Sequence, residues 1–147
     1  MNSPEITTYQ NFIRGYWVDS SSNQTYPIRN PAHLSSILGR VQASVTDDVA
    51  AAVQAAYDTQ TTWASTPAPE RSKILYKLHS LMQTQQDDFA RIITLEEGKP
   101  LADAKGEVKR SLDIIEYAAG EGRRMFGYTT PSEFQNTLAY TVRRPLG

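Results

Sequence analysis

One stretch in the middle of the chain has the pattern of a helix end followed at once by a helix start. It reads Leu95-Glu96-Glu97-Gly98-Lys99-Pro100-Leu101. Gly98 can adopt the left-handed conformation that ends a helix, and Pro100 suits the first turn of the next helix, where a missing N–H costs nothing. Apolar or small residues then recur at positions 101, 104, 108, 112, 115, 119, 122 and 126. This spacing predicts a helix from about Pro100 to Phe126, roughly 40 Å long.

Three further helices are predicted before this one. Thr46 is a candidate N-cap for the first, with Asp47 and Asp48 favourable near its positive end. The second begins around Pro67 and Pro69, and the third covers about 87–97. The residues predicted to face inward are Val49, Val53, Ala56, Tyr57, Gln60 and Trp63 in the first helix, Ile74, Leu75, Leu78, Leu81 and Met82 in the second, and Phe89, Ile92 and Ile93 in the third.

Short β segments are predicted on the N-terminal side of the helices. The segment Phe12–Val18 has strand-forming residues interrupted by Arg14-Gly15, and Thr25–Arg29 is the predicted return strand of a hairpin with a longer loop. Asn30-Pro31 predicts a turn, and another short strand follows over Ile37–Ala43. Within that strand Gly39 is a candidate bulge.

The two ends of the chain differ in pattern. The polar residues 1–8 predict a disordered tail. Residues 127–136 are irregular, and Leu138–Arg144 predicts a strand with Leu138, Tyr140 and Val142 on one face. The whole pattern predicts an α/β fold with helices in the middle and β segments at both ends.

Composition narrows the classes of partner. The 147 residues carry a formal net charge of −1, which argues against nucleic acid or an anionic membrane surface as a partner. No apolar run approaches the length that crosses a bilayer, and no signal peptide is recognisable, so cytoplasm is the expected location. The chain contains no cysteine and therefore no thiol nucleophile or thiolate ligand.

A set of motifs in a fixed order resembles the N-terminal third of the NAD(P)-dependent aldehyde dehydrogenases. The set runs from about Tyr9 to the last residue, and its order and spacing are more specific than any one motif. Its members are Asn11-Phe12-Ile13-Arg14-Gly15-Tyr16-Trp17-Val18, Asn30-Pro31-Ala32, Thr94-Leu95-Glu96-Glu97-Gly98-Lys99-Pro100, Ala104-Lys105-Gly106-Glu107-Val108, Tyr117-Ala118-Ala119-Gly120 and Arg143-Arg144-Pro145-Leu146-Gly147.

The resemblance implies a domain organisation. Residues 9–127 would be the N-terminal part of a cofactor-binding, incomplete Rossmann-like domain, and residues 128–147 the truncated start of an oligomerisation segment. The strand over Leu138–Arg144 would then join a homo-oligomer. The first strand that contacts the cofactor would begin where this sequence stops.

The resemblance also implies a reaction. In the family a cysteine thiolate attacks an aldehyde, hydride passes to NAD or NADP, and a glutamate activates the water that releases a carboxylic acid. None of these residues matches a position here, so we assign no catalytic and no cofactor-binding residue and expect the chain alone to bind no NAD(P). The pattern over 104–127 is most similar to members that act on semialdehydes such as succinate semialdehyde or 2,5-dioxopentanoate.

One site is implied by the resemblance. Many family members hold a monovalent cation, with a carboxylate that matches Glu107 and backbone carbonyls that match Ile28 and Arg29; such oxygens suit hard cations. The alternative is that Glu107 is a surface residue with basic neighbours. Lys99 is expected to interact with the carbonyls that end the preceding helix, and Glu96 and Glu97 to form a solvated helix end.

Gly120-Glu121-Gly122 is half of a dinucleotide-binding fingerprint but lies late in a helix, which favours close packing instead.

Three interpretations of the whole chain stay open. It is the N-terminal piece of an aldehyde dehydrogenase, or a non-catalytic interaction module that assembles with full-length subunits, or an unrelated helical binding module. A cysteine-bearing continuation of the reading frame would favour the first, and co-purification with an intact dehydrogenase the second. In the third, the helices would bundle without the terminal β segments packing on them.

Overall fold

A computed structural model describes residues 6–146. The elements, in chain order, are β1 (Thr8–Tyr9), β2 (Asn11–Ile13), β3 (Tyr16–Val18), β4 (Thr25–Asn30), β5 (His33–Gln42), α1 (Thr46–Ser65), α2 (Ala68–Thr84), α3 (Gln86–Glu97), α4 (Leu101–Glu121), β6 (Thr129–Thr130) and β7 (Ala139–Tyr140). The four predicted helices and the flanking β segments are all present, which confirms the mixed α/β architecture.

The N-terminal strands pair differently from the prediction. β2 and β3 form their own antiparallel hairpin, closed by Arg14 and Gly15, both of which have positive φ. β4 therefore does not return onto them; it pairs antiparallel with β5 across the Asn30-Pro31 turn. The predicted turn is correct, but the predicted hairpin partner is wrong. The register shift in this pair lies beside Gly39, where Ile28 pairs with Gly39 and Arg29 with Ile37.

The start of the described chain belongs to the sheet. Thr8 pairs with Arg40 and Tyr9 with Val41, so that β1 runs parallel to β5. The predicted disordered tail over 1–8 is thus wrong at Thr8, while residues 1–5 lie outside the described part.

The buried side chain of Gln42 stabilises this sheet through hydrogen bonds. The side chain of Gln42 accepts a hydrogen bond from the Ser20 N–H (2.9 Å) and donates to the Tyr9 carbonyl (3.1 Å) and to Asp19 Oδ1 (3.2 Å). Because Gln42 is buried, these three bonds satisfy an amide that would otherwise be costly to remove from water. They tie β1, β5 and the loop after β3 to one another.

The main core lies between α3 and α4. Ala90, Ala104, Val108 and Leu112 form one buried cluster, against which Met82, Phe89 and Ile93 pack. Small residues at 90 and 104 let the two helices approach closely. The predicted inner face of α4 is confirmed at positions 104, 108, 112 and 119, all of which are buried.

Asp48 organises the start of α1. Its carboxylate accepts hydrogen bonds from the backbone N–H of Val45 (2.8 Å) and of Ser21 (2.9 Å). Val45 is the N-cap residue, so the assignment of that role to Thr46 is wrong by one position. The carboxylate satisfies a backbone donor at the helix start and faces the positive end of the helix dipole.

The predicted inner face of α1 is wrong at its large apolar residues, and that of α2 is confirmed only at Met82, which packs against the α3–α4 core, and at the half-buried Leu75. Most of their large apolar residues are exposed, whereas Ala55 and Ser72 are buried. The exposed residues are Val49, Val53, Tyr57 and Trp63 in α1 and Ile74, Leu78 and Leu81 in α2. In α3, Ile92 is also exposed, while Phe89 and Ile93 face the core. The apolar stripes exist, but no described element covers them.

The predicted helix to Phe126 is also too long. α4 ends at Glu121, about 30 Å from its start at 1.5 Å per residue. Gly122, just beyond it, lies against the first turn of α2 at Ala68 and Ser72.

The C-terminal strand is shorter than predicted. Only Ala139–Tyr140 of the predicted Leu138–Arg144 strand is regular, and it pairs antiparallel with Thr129–Thr130. Beyond that pair, the Thr141 N–H donates to the Tyr128 carbonyl (2.8 Å). Leu138, Tyr140 and Val142 all remain largely exposed.

Candidate functional site

Two of the motifs that define the family resemblance meet in space. Gly98 ends α3 with φ of 79° and ψ of 8°, the left-handed conformation predicted for it. A Cβ on Gly98 would lie 2.9 Å from Cγ of Pro31, in the turn between β4 and β5. That turn is stabilised by Asn30, whose Oδ1 accepts a hydrogen bond from the Ala32 N–H (2.9 Å). Glycine is therefore required at position 98 for both its conformation and its close approach.

Lys99 links the two helices on either side of this turn. Its ammonium group lies 2.6 Å from Glu107 Oε2 and 2.7 Å from Glu97 Oε2. The hydrogen bond to Glu107 and then that to Glu97 raise the pKa of Lys99 above its ordinary value. The predicted interaction with the carbonyls at the end of α3 is thus replaced by two carboxylates. Lys99 is held as a cation and is unsuited to act as a base.

The three residues of the predicted cation site lie on two elements. Ile28 and Arg29 are in β4, at the register shift, and the Arg29 Nη1 donates to the Leu34 carbonyl (2.9 Å). Glu107 is in α4 and is neutralised by Lys99. Glu96, near the end of α3, lines a cleft of about 690 Å³ and a second one of about 350 Å³, and Ile28 lines both of them.

Glu107 therefore fits a cation poorly, because an ammonium group already occupies its carboxylate and would repel a second cation. Glu96 was interpreted from the sequence as a solvated helix end. What the sequence could not provide was the position of β4 beside the last turn of α3. Residues 6–146 hold no cluster of three or more acidic, histidine or cysteine side chains arranged for a metal. The cation site stays a prediction.

The Gly120-Glu121-Gly122 segment does not have the setting of a phosphate-binding turn. Gly120 and Gly122 lie at the C-terminal end of α4, where the space next to Gly120 is occupied by the Arg124 guanidinium and that next to Gly122 by Ser72. A phosphate-binding glycine turn needs the opposite setting, between a strand and the start of a helix. In the part of the chain that the structure covers, no helix combines the length and apolarity needed to cross a membrane.

The fold and the contact between the Gly98 and Pro31 motifs point to one class of protein. The sequence model of the aldehyde dehydrogenase family matches residues 17–147, and the chain belongs to that family.

Curated relatives are semialdehyde dehydrogenases. The alpha-ketoglutaric semialdehyde dehydrogenase of Bacillus subtilis (strain 168) is 42% identical over 143 residues, which cover 97% of this chain and 29% of that protein. The NADP(+) succinate-semialdehyde dehydrogenase of Escherichia coli (strain K12) is 36% identical over 147 residues, 100% of this chain and 30% of that protein.

Solved structures agree with this assignment. An E. coli NADP-dependent enzyme superposes with a TM-score of 0.86 at 37% identity, over 92% of this chain and 28% of the other. A succinate-semialdehyde dehydrogenase from Burkholderia pseudomallei gives a TM-score of 0.83 at 36% identity, over 94% of this chain and 28% of the other. The recognition of the family and the predicted fold class are thereby confirmed. The chain spans less than a third of the length of these relatives.

Proposed function

We propose that this chain is the N-terminal part of an NAD(P)-dependent aldehyde dehydrogenase that oxidises a semialdehyde to a carboxylic acid. The observation that carries the proposal is the 42% identity to an alpha-ketoglutaric semialdehyde dehydrogenase over 97% of the chain. Relatives named for malonate and succinate semialdehydes support the substrate class. NAD or NADP is the cofactor of the complete enzyme, and the cytoplasm is its proposed location.

The role of these residues within such an enzyme is structural. The α3–α4 core, the β4–β5 hairpin and the Lys99 ion pairs form a preorganised unit whose remaining apolar faces are exposed. Contiguous exposed apolar faces are typical of surfaces that pack against another part of a protein. The 147-residue chain has no cysteine, and a thiolate is the nucleophile of the family reaction. We therefore propose that this chain alone neither oxidises aldehydes nor binds NAD(P).

An activity assay on the purified 147-residue chain tests this proposal. With succinate semialdehyde and either NAD or NADP, we expect no cofactor reduction above that of a boiled sample. Calorimetric titration with NAD is expected to show no one-site binding with a Kd below about 1 mM. That Kd corresponds to a binding free energy of roughly −4 kcal/mol. Cofactor reduction that co-elutes with the chain through two chromatographic steps would contradict the proposal.

A complementation assay tests the dehydrogenase part separately. The chain is mixed with the remainder of the E. coli succinate-semialdehyde dehydrogenase, expressed without its own N-terminal 30%. Restored oxidation of succinate semialdehyde is expected, since the relative aligns with the chain over 147 residues. The control is a Leu112→Ala chain, which is weakened in the α3–α4 core. Complete failure with a folded partner would argue against a shared architecture.

A non-catalytic interaction module is the second candidate. The observation that favours it is the exposure of Leu138, Tyr140 and Val142, which leaves the strand over 138–144 available for another chain. Under this proposal the chain forms oligomers with intact subunits through that strand. Co-purification of a tagged chain with an untagged full-length relative tests it, and a chain with Tyr140→Asp should lose the partner.

A further inference from the structure

A cleft of about 670 Å³ lies between the α1–α2 junction and the C-terminal segment. Three arginines line it: Arg71 from α2, and Arg143 and Arg144 from the end of the described chain. Among the described residues that line it, none is acidic. Three positive charges around one cleft, with no carboxylate among these described lining residues, create a positive local potential.

Among residues 6–146, no carboxylate lies within ion-pair distance of these three arginines, although seven other ion pairs are present. Arg143 donates through Nε to the Phe126 carbonyl (3.1 Å), which fixes its guanidinium but does not neutralise it. The Cζ atom of Arg71 lies 5.9 Å from the centroid of the Trp63 ring, and the buried Nε of Arg71 has no hydrogen-bond partner within residues 6–146. A buried donor without a partner is costly and needs an explanation.

The start of α2 adds to the same field. Pro67 is its N-cap and offers no side-chain acceptor, and both Pro67 and Ala68 line the cleft. The N-terminal end of a helix carries a partial positive charge that favours anions. This helix end adds only a little to the positive charge around the cleft, most of which comes from the three arginines.

We propose that this cleft binds an oxyanion of the phosphate class. The arginine guanidinium groups supply paired N–H donors that match the oxygen spacing of phosphate. Arg71 lines the cleft from α2, and Arg143 and Arg144 contribute charge from the C-terminal segment. The proposal is independent of dehydrogenase activity because none of these residues takes part in the proposed reaction.

The test uses the cation–π pair as its reporter. The chain has two tryptophans, and Trp17→Phe leaves Trp63 as the sole emitter. In this background, titration with inorganic phosphate at constant ionic strength is expected to give a saturable change in Trp63 emission. Chloride at the same ionic strength is expected to give none. Calorimetry with phosphate provides a second, label-free measurement.

Arg144→Gln is the decisive variant, since Arg144 is exposed and its replacement leaves the α3–α4 core untouched. We expect it to weaken phosphate binding about tenfold or more, as loss of one charge-assisted hydrogen bond does. Arg110→Gln removes the same charge from the exposed face of α4 and is the matched control, expected to bind as the parent does. No saturation up to about 50 mM phosphate, well beyond millimolar affinity, or equal weakening in both variants, would overturn the proposal.

Discussion

Gly122 packs directly against Ser72. A Cβ at position 122 would overlap the Ser72 Oγ and would lie 2.8 Å from the Ala68 carbonyl oxygen. The end of α4 and the start of α2 are thus in contact at the one residue that lacks a side chain. α4 ends one residue before this contact, at Glu121, although apolar spacing continues to Phe126.

Gly122→Ala is therefore expected to destabilise the chain by about 1–3 kcal/mol, because backbone at Ala68 must move to admit a methyl group. Gly106→Ala is the matched control within α4, where an added Cβ meets nothing within 4 Å. That substitution should stabilise by about 0.5–1 kcal/mol through helix propensity. Urea unfolding measures both, and equal effects of the two substitutions would contradict this packing.

Leu112 tests the phase of α4. It is 7% exposed in the α3–α4 core, and Leu112→Ala should cost about 2–5 kcal/mol. Arg110, two positions earlier, is exposed, and Arg110→Ala should change stability by no more than about 0.5 kcal/mol. Similar losses at both positions in thermal or urea unfolding would show that the buried face of the helix is misassigned.

The sequence predicted local features well because they depend on one or two residues. The left-handed Gly98, the Asn30-Pro31 turn and the buried stripe of α4 follow from conformational freedom and periodicity alone. The partner of β4 did not follow, because the hairpin closed at Arg14 requires a non-glycine residue with φ of 55°. Propensity gives little warning of such a residue.

The predicted burial of the apolar stripes of α1 and α2 was wrong for a different reason. Val53 and Leu78 have the spacing of buried residues, yet periodicity shows only that a face is apolar and cannot show what covers it. The candidate cation site shows the same limit. The sequence suggested Glu107, whereas in the structure Glu96 and Ile28, which are far apart in the chain, line the same cleft.

Asp48 gives a pH dependence at the start of α1. The hydrogen bond from the Val45 N–H, followed by that from Ser21, lowers the pKa of Asp48 below its ordinary value of 3.8. A group with a lowered folded-state pKa adds stability above its unfolded pKa and loses it as the pH falls through the folded value. Asp48→Asn should therefore be less stable than the parent at pH 7, and the difference should shrink as the pH falls below 3.8 and through the lower folded-state pKa. Asp47→Asn, which removes the same charge in the same turn, is the control in thermal unfolding from pH 7 to 2.

The cation prediction can be tested by exchange of salt. We expect K⁺ to stabilise the chain relative to tetramethylammonium at equal ionic strength, and Glu96→Gln to remove the difference because Glu96 and Ile28 line the same cleft. Glu107→Gln should keep it, because Lys99 already neutralises Glu107. Loss of the K⁺ effect in Glu107→Gln alone would restore the cation site suggested by the sequence.

Because Leu138 and its apolar neighbours are exposed, we expect the isolated chain to self-associate. Leu138, Tyr140 and Val142 are exposed on a short hairpin whose regular pairing covers only two residues of each strand. Free strand edges with apolar side chains recruit further chains. Sedimentation at increasing concentration should show species larger than a monomer, and thermal melting should be broad. Leu138→Asp should shift the distribution towards monomer, whereas Leu34→Asp, at a similarly exposed leucine in β5, should not. A sharp melt from a clean monomer of the parent chain would mean that these surfaces are stable in water, and the interaction module would then become the better description of this protein.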